Sequence, residues 1–186
     1  MKKIKVKIEG IRPYLQHRRP SNEEEVKEIQ NVTKILQKNP YNKEASKDEC
    51  EFAVYKNDKG YFIPSSHIQE AMIKAGSSLQ VKGQGKKTYK DYMKSYVFPQ
   101  EEEILLKTEG YILDKRYVKI QKAGILRNRP RFDKWEAEFT LLITDDSLPL
   151  EDIKTILETA GFRIGIGDYR PKYGLFQIVE FKEMNG

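Results

Sequence analysis

Lys3-Ile4-Lys5-Val6-Lys7-Ile8-Glu9 alternates charged and apolar side chains without a break. Successive residues of a strand point to opposite faces, so Ile4, Val6 and Ile8 turn to a core and the charges turn to water. The sheet built on this strand is antiparallel, with helices on one face. Trp135 to Ile143 repeats the pattern, with Trp135, Ala137, Phe139 and Leu141 against Glu136, Glu138 and Thr140, and Phe176 to Phe181 alternates as the last strand. Trp135 falls on the core side.

Helical periodicity separates these strands. Asn22 or Ser21 caps a helix over 22–38 whose first turn holds Glu23, Glu24 and Glu25 and whose inner face is Val26, Ile29, Val32, Ile35 and Leu36. A second helix starts at Pro64-Ser65-Ser66, turning Ile68, Ala71, Met72 and Ala75 inward. A third starts near Pro149, with Ile153, Ile156, Leu157 and Ala160 inward and Gly161 as its cap. Residues 40–50 are polar and read as a mobile loop. Glu51–Tyr55 and Tyr61–Ile63 read as a hairpin around Asn57-Asp58-Lys59-Gly60. Short strands follow at Ile104–Lys107, Tyr111–Leu113 and Tyr117–Ile120. The whole is one α+β domain over 1–186, with basic loop insertions at about 77–95 and 121–134.

The chain has 34 basic and 28 acidic residues, a net charge of +6 that permits but does not require a polyanionic partner. Cys50 is the only cysteine, and His17 and His67 are the only histidines. An intramolecular disulfide, a cysteine zinc site and a multi-histidine metal site are thereby excluded, and no cofactor is expected. No apolar run reaches membrane-spanning length and the first residues lack a signal-peptide core, so a cytoplasmic protein is expected.

Three stretches concentrate charge. In the first, Gly161, Gly165, Gly167 and Gly174 punctuate a loop carrying Arg163, Tyr169, Arg170, Lys172 and Tyr173. Glycine permits close backbone approach, arginine and lysine suit phosphate, and tyrosine offers a face to a base. The alternative is tight turns and close packing alone. In the second, Arg127, Arg129 and Arg131 share one face if extended and form the best phosphate-contact row. Pro130 argues for an edge or loop there, and an edge strand guarded by arginines is the alternative. In the third, Lys82, Lys86, Lys87 and Tyr89 compose a mobile clamp or a solvated loop. Gly83-Gln84-Gly85-Lys86-Lys87-Thr88 lacks the spacing of a nucleotide-triphosphate loop.

The ending Gly165-x-Gly167-x-x-Arg170-x-x-Tyr173-Gly174-x-Phe176, between a helix and the final strand, resembles the carboxy-terminal signature of the RAMP superfamily of CRISPR RNA-binding proteins. That resemblance implies a ferredoxin-like, RRM-like fold and an RNA ligand. The layout is also similar to uncharacterised proteins encoded by phages and prophages, with Gly167-Asp168-Tyr169-Arg170-Pro171 before Gly174-Leu175-Phe176. The leading expectation is a non-catalytic protein that binds single-stranded RNA or DNA and multimerises along it as a homo-oligomer. Two other classes fit the same residues. One is a metal-independent RAMP-type endoribonuclease with His17 as general base. The other is a phage structural or host-interaction protein whose basic loops meet a protein partner.

Overall fold

The computed structural model describes residues 1–120 and 123–184. The alternating segments become β1 (Lys2–Gly10), β9 (Glu136–Ile143) and β10 (Phe176–Glu183), and β1 pairs antiparallel with both of the others. β6 (Glu103–Lys107) joins β9 from the far side. The order β10-β1-β9-β6 is fourth-first-third-second among these strands, the ferredoxin-like arrangement. β4 (Gly60–Pro64) and the two-residue β3 (Lys56–Asn57) extend the sheet beyond β6, and β5 (Val97–Pro99) pairs with the other end of β9.

Helix α3 (Ser65–Gly76) follows the first of the four strands and α5 (Leu150–Thr159) the third, and the two pack against each other. They cover one face, where Ile4, Val6, Ile8, Ile68, Met72, Phe139, Leu141, Ile153 and Ile156 are almost fully buried. The other face of the central strands is open and charged. Lys5 pairs there with Glu138 and Glu180, and Lys7 with Glu136. No aromatic residue stands on the open side of β1, β9 or β10, so the RRM habit of stacking bases on the sheet has no platform here.

A second sheet lies beside the first, in the order β2 (Tyr14–Leu15), β8 (Ala123–Phe132) and β7 (Ile112–Ile120). Tyr14 and Phe132 stack at 6.1 Å and join the two sheets through one core. The segment expected as a basic loop over 121–134 is thus mostly strand, with Gln121 and Lys122 outside the described residues. β8 is moreover the central strand, not an edge. Pro130 is accommodated because its carbonyl accepts from Gln16 N on the β2 side, so the donor it lacks faces a strand of only two residues. The two short strands expected at Tyr111–Leu113 and Tyr117–Ile120 merge into β7.

Four further expectations need correction. Residues 40–50 form no open loop: α2 (Lys43–Ala53) occupies them, with Asn42 Oδ1 capping Ala45 N at 2.9 Å. This helix also absorbs most of the strand expected from Glu51. Its buried stripe of Ala45, Ser46, Glu49, Cys50 and Ala53 keeps helical spacing but is small and polar, which hid it. Helix α1 (Glu23–Lys38) is capped by Asn22, yet it is peripheral: only Leu36 is buried, and Val26 and Ile35 are exposed. The 77–95 insertion contains α4 (Lys90–Ser95). Finally, the helical path after α5 passes through Gly161 and one π-helical turn (Ala160–Ile164), and ends at Gly165.

Among the described residues, no helix is long and apolar enough to cross a membrane.

Candidate nucleic-acid interface

The glycine-rich loop is folded onto itself and onto β2. Ile166 N donates to Gly174 O, Gly174 N to Pro13 O, and Asp168 N to Leu15 O, at 2.8–2.9 Å. Gly167 and Gly174 have φ near +74°, and a methyl group on either would run into backbone, the Leu15 carbonyl for the first and the Ile166 carbonyl for the second. The glycines therefore serve internal packing, and what the loop presents is its side chains.

Arg127, Arg129 and Arg131 do share one face of β8, with Asp114 and Arg116 of β7 beside them. Each arginine meets a carboxylate. Arg127 lies 3.0 Å from Glu49, Arg129 2.6 Å from Asp168, and Arg131 2.9 Å from Asp114 and 2.8 Å from Asp133. Burial works against ionisation of Asp114, yet hydrogen bonds from Arg116 and Arg131 hold its carboxyl below the usual range. The row is an ion-paired scaffold, not a strip of free positive charge.

Tyr173 is also spoken for: it is 9% exposed, its hydroxyl accepts from Arg116, and the Arg116 guanidinium lies 4.4 Å from its ring centroid. Tyr169 remains 41% exposed, in a left-handed conformation (φ 61°), with Arg116 and Arg129 each 5.9 Å from its ring.

The lysine-rich segment is elsewhere. It follows the C-terminal end of α3, a 12-residue helix about 18 Å long, whereas the cleft described next lies at the N-terminal end. It is closed by Val81 N to Lys87 O and Lys87 N to Gln84 O. Lys87 donates to Tyr92 OH, and Lys82 and Lys86 make no ion pair among the described residues. Tyr89 is 4% exposed, donates to Asp152, and its hydroxyl pKa is raised to about 12 by burial and that bond. It belongs to the core, not to a clamp.

What folding does bring together is the segment after β2, the start of α3 and the glycine-rich loop. They line an open cleft of about 730 Å³ that includes His17, Arg19, Ser66, His67 and Arg170. Tyr55 and Phe62, with ring centroids 5.7 Å apart, form an aromatic wall, and Tyr55 meets His67 edge-on at 5.6 Å. Pro64 provides no side-chain cap; Ser65 N donates to Glu102 O at 2.8 Å, and the N–H groups that follow it in the first turn of α3 add partial positive charge. Arg18 is held by Glu25 at 3.0 Å, but Arg19 and Arg170 have no ion pair among the described residues. Glu70, Glu102 and Glu103 line the cleft as well and make part of it acidic. Arg163 and Lys172 are exposed but do not line it.

Burial shifts both histidines towards the neutral form. Burial, then the charge of Arg170, lowers the His67 pKa to about 4, and its Nδ1 lies 3.0 Å from Tyr14 OH. Burial, then Arg129, lowers His17 as well, and its Nδ1 is 4.0 Å from Asp168 Oδ2.

Gln16 and Glu49 escaped sequence reasoning. Gln16 is fully buried, donates to Phe62 O at 2.8 Å and accepts from Tyr55 N at 2.7 Å, fixing the aromatic wall to β2. Glu49 accepts from Arg127, Asn128 N and Asn128 Nδ2. Neither sits in a motif: pairing of an unanticipated helix with β8 reveals Glu49, and the approach of the segment after β2 to Tyr55 and Phe62 reveals Gln16.

A scan against protein-family models finds no match, and a search of curated proteins finds none either.

Proposed function

We propose that this protein binds a single-stranded nucleic acid in the cleft between the segment after β2, the start of α3 and the glycine-rich loop. One observation carries the reading: Arg19 and Arg170, without carboxylate partners among the described residues, converge with the Tyr55–Phe62 wall in an open groove of about 730 Å³. Phosphates take the arginine side and bases stack on the aromatic side. The ion-paired row on β8 positions the loop instead of touching phosphate. Multimerisation along the strand, and a RAMP-like origin in a phage, belong to the same proposal.

The test is fluorescence anisotropy with 20-nucleotide single strands between 50 and 200 mM salt. Two phosphate contacts, from Arg19 and Arg170, give a log–log salt slope of about −1.4. The double variant Arg19→Ala/Arg170→Ala should bring the slope close to zero. No binding at low salt overturns the proposal, and stable self-association without strand binding points to a protein partner.

A second reading has its own observation: His17, its pKa lowered by burial, stands beside Asp168 and Arg129 in the same cleft region. His17 would take the proton of an RNA 2′-hydroxyl. O2′ would then displace O5′ from phosphorus to leave a 2′,3′-cyclic phosphate, with the leaving oxygen protonated by water. Cleavage of labelled RNA that disappears in His17→Ala supports it, and intact RNA ends it.

A further inference from the structure

β7 is the outer strand of the second sheet, nine residues long, with β8 on one side and no strand on the other among the described residues. The alternation of an antiparallel pair fixes which backbone groups face that free side. Asn128 N donates to Glu49 and the Pro130 carbonyl accepts from Gln16 N, so both β8 residues point their backbone groups away from β7. Their register partners, Lys115 and Leu113, then point theirs away from β8, and Tyr117 follows by the period of two. The N–H and C=O groups of Leu113, Lys115 and Tyr117 form an open row that another strand can pair with. Sheet edges are usually guarded by bulges and charge, and β10, the outer strand of the larger sheet, has both: a register shift opposite Lys7 and Ile8, and Glu180, Lys182 and Glu183. The charges of β7 are drawn inward instead. Lys115 Nζ donates to Pro40 O at 2.9 Å and lies over the Tyr41 ring, while Arg116 is held by Asp114 and Tyr173. What stays exposed along this edge is Ile112, Leu113 and Tyr117, the last at 68%.

The strand that fits this edge is a second copy of itself. We propose that two copies of the protein pair antiparallel through their β7 edges, about a two-fold axis at Lys115. Leu113 then lies opposite Tyr117 of the second copy, an aliphatic–aromatic pair on each side of the axis, and Asp114 lies opposite Arg116 of the second copy. The outward groups of Leu113, Lys115 and Tyr117 meet in phase and exchange about six backbone hydrogen bonds. Moving the axis by one residue sets Asp114 against Asp114 or Arg116 against Arg116, so charge selects the register. No residue of this contact lines the cleft, so it stands apart from strand binding.

Light-scattering mass of the protein freed of nucleic acid, at concentrations up to about 100 µM, tests this. The expected mass is twice the 21.8 kDa of one chain. Tyr117→Pro deletes an outward N–H and no bond to β8, and should return the monomer with unchanged circular dichroism. Should that variant not fold, Tyr117→Lys at the same exposed position sets like charges beside Lys115 of the second copy and should also return the monomer. Cysteine cross-linking reads the register. Lys115→Cys should oxidise to a covalent dimer, and Tyr117→Cys should not, because the two 117 positions stand about 14 Å apart along the paired strands. Cys50 is buried and stays out of the exchange. A monomer at every concentration overturns the proposal and leaves the edge to an extended segment of another protein. A dimer that persists in folded Tyr117→Lys, or one that cross-links through Tyr117→Cys as readily as through Lys115→Cys, overturns it too.

Discussion

Gly167→Ala isolates what holds the glycine-rich loop in place. Gly167 has φ +74°, and its Cβ position is occupied by the Tyr14 ring and the Leu15 carbonyl oxygen. A left-handed alanine costs about 1 kcal/mol, and forcing a methyl group into packed backbone adds about 2 kcal/mol. Gly83 provides the control. Its φ is +76°, but nothing lies within 4 Å of its Cβ position, so Gly83→Ala should cost only about 1 kcal/mol. With a urea m-value of about 2 kcal/mol/M, midpoints should fall by about 1.5 M for Gly167→Ala and about 0.5 M for Gly83→Ala. Loss of the Asp168 N to Leu15 O bond should also detach Arg170 from the cleft, so strand affinity falls in the first variant and not in the second. Equal midpoint shifts would refute the argument that the loop is seated on β2.

Acid should destabilise the protein well above the carboxylate range. The folded His67 pKa is about 4 against 6.5 unfolded, so the unfolded chain binds more protons between these values. The stabilisation is complete above pH 6.5 and is lost as pH falls towards 4, about 3 kcal/mol at most. Urea midpoints at pH 7 and 4.5 measure it, and His67→Gln should flatten the difference. Asp114→Asn leaves Arg116 and Arg131 facing each other without their shared carboxylate, a loss of about 3 kcal/mol in urea unfolding. Tyr89→Phe removes the half-buried bond to Asp152 and should cost about 1 kcal/mol by the same assay without changing strand affinity, since Tyr89 is a core residue.

Much of the architecture follows from local patterns. Alternation located β1, β9 and β10, the last despite a register shift against β1 at Val179, and apolar spacing located α3 and α5, because each buries an apolar face. Helix α2 stayed hidden because its inner face is small and polar and finds its partners in β8. The candidate site was only half readable. The row of Arg127, Arg129 and Arg131 does form, but each partner carboxylate, Glu49, Asp168 and Asp114, comes from another element, and no local pattern predicts such pairing. Tyr55 and Phe62 gave a hairpin signal and no binding signal, since what makes them a wall is the buried side chain of Gln16 between them. Tyr89 and Tyr173 illustrate the opposite error: a tyrosine among lysines or glycines looks available until its hydroxyl and ring are both taken.

Ultraviolet crosslinking of a 4-thiouridine-substituted single strand, followed by peptide mapping, tests the location of the interface most directly. Crosslinks are expected in the segments around Arg19, Tyr55–Phe62 and Tyr169–Arg170. Crosslinks concentrated instead on Lys82–Lys87, or on the open face of Lys5 and Lys7, would place the strand elsewhere and overturn the cleft as the interface.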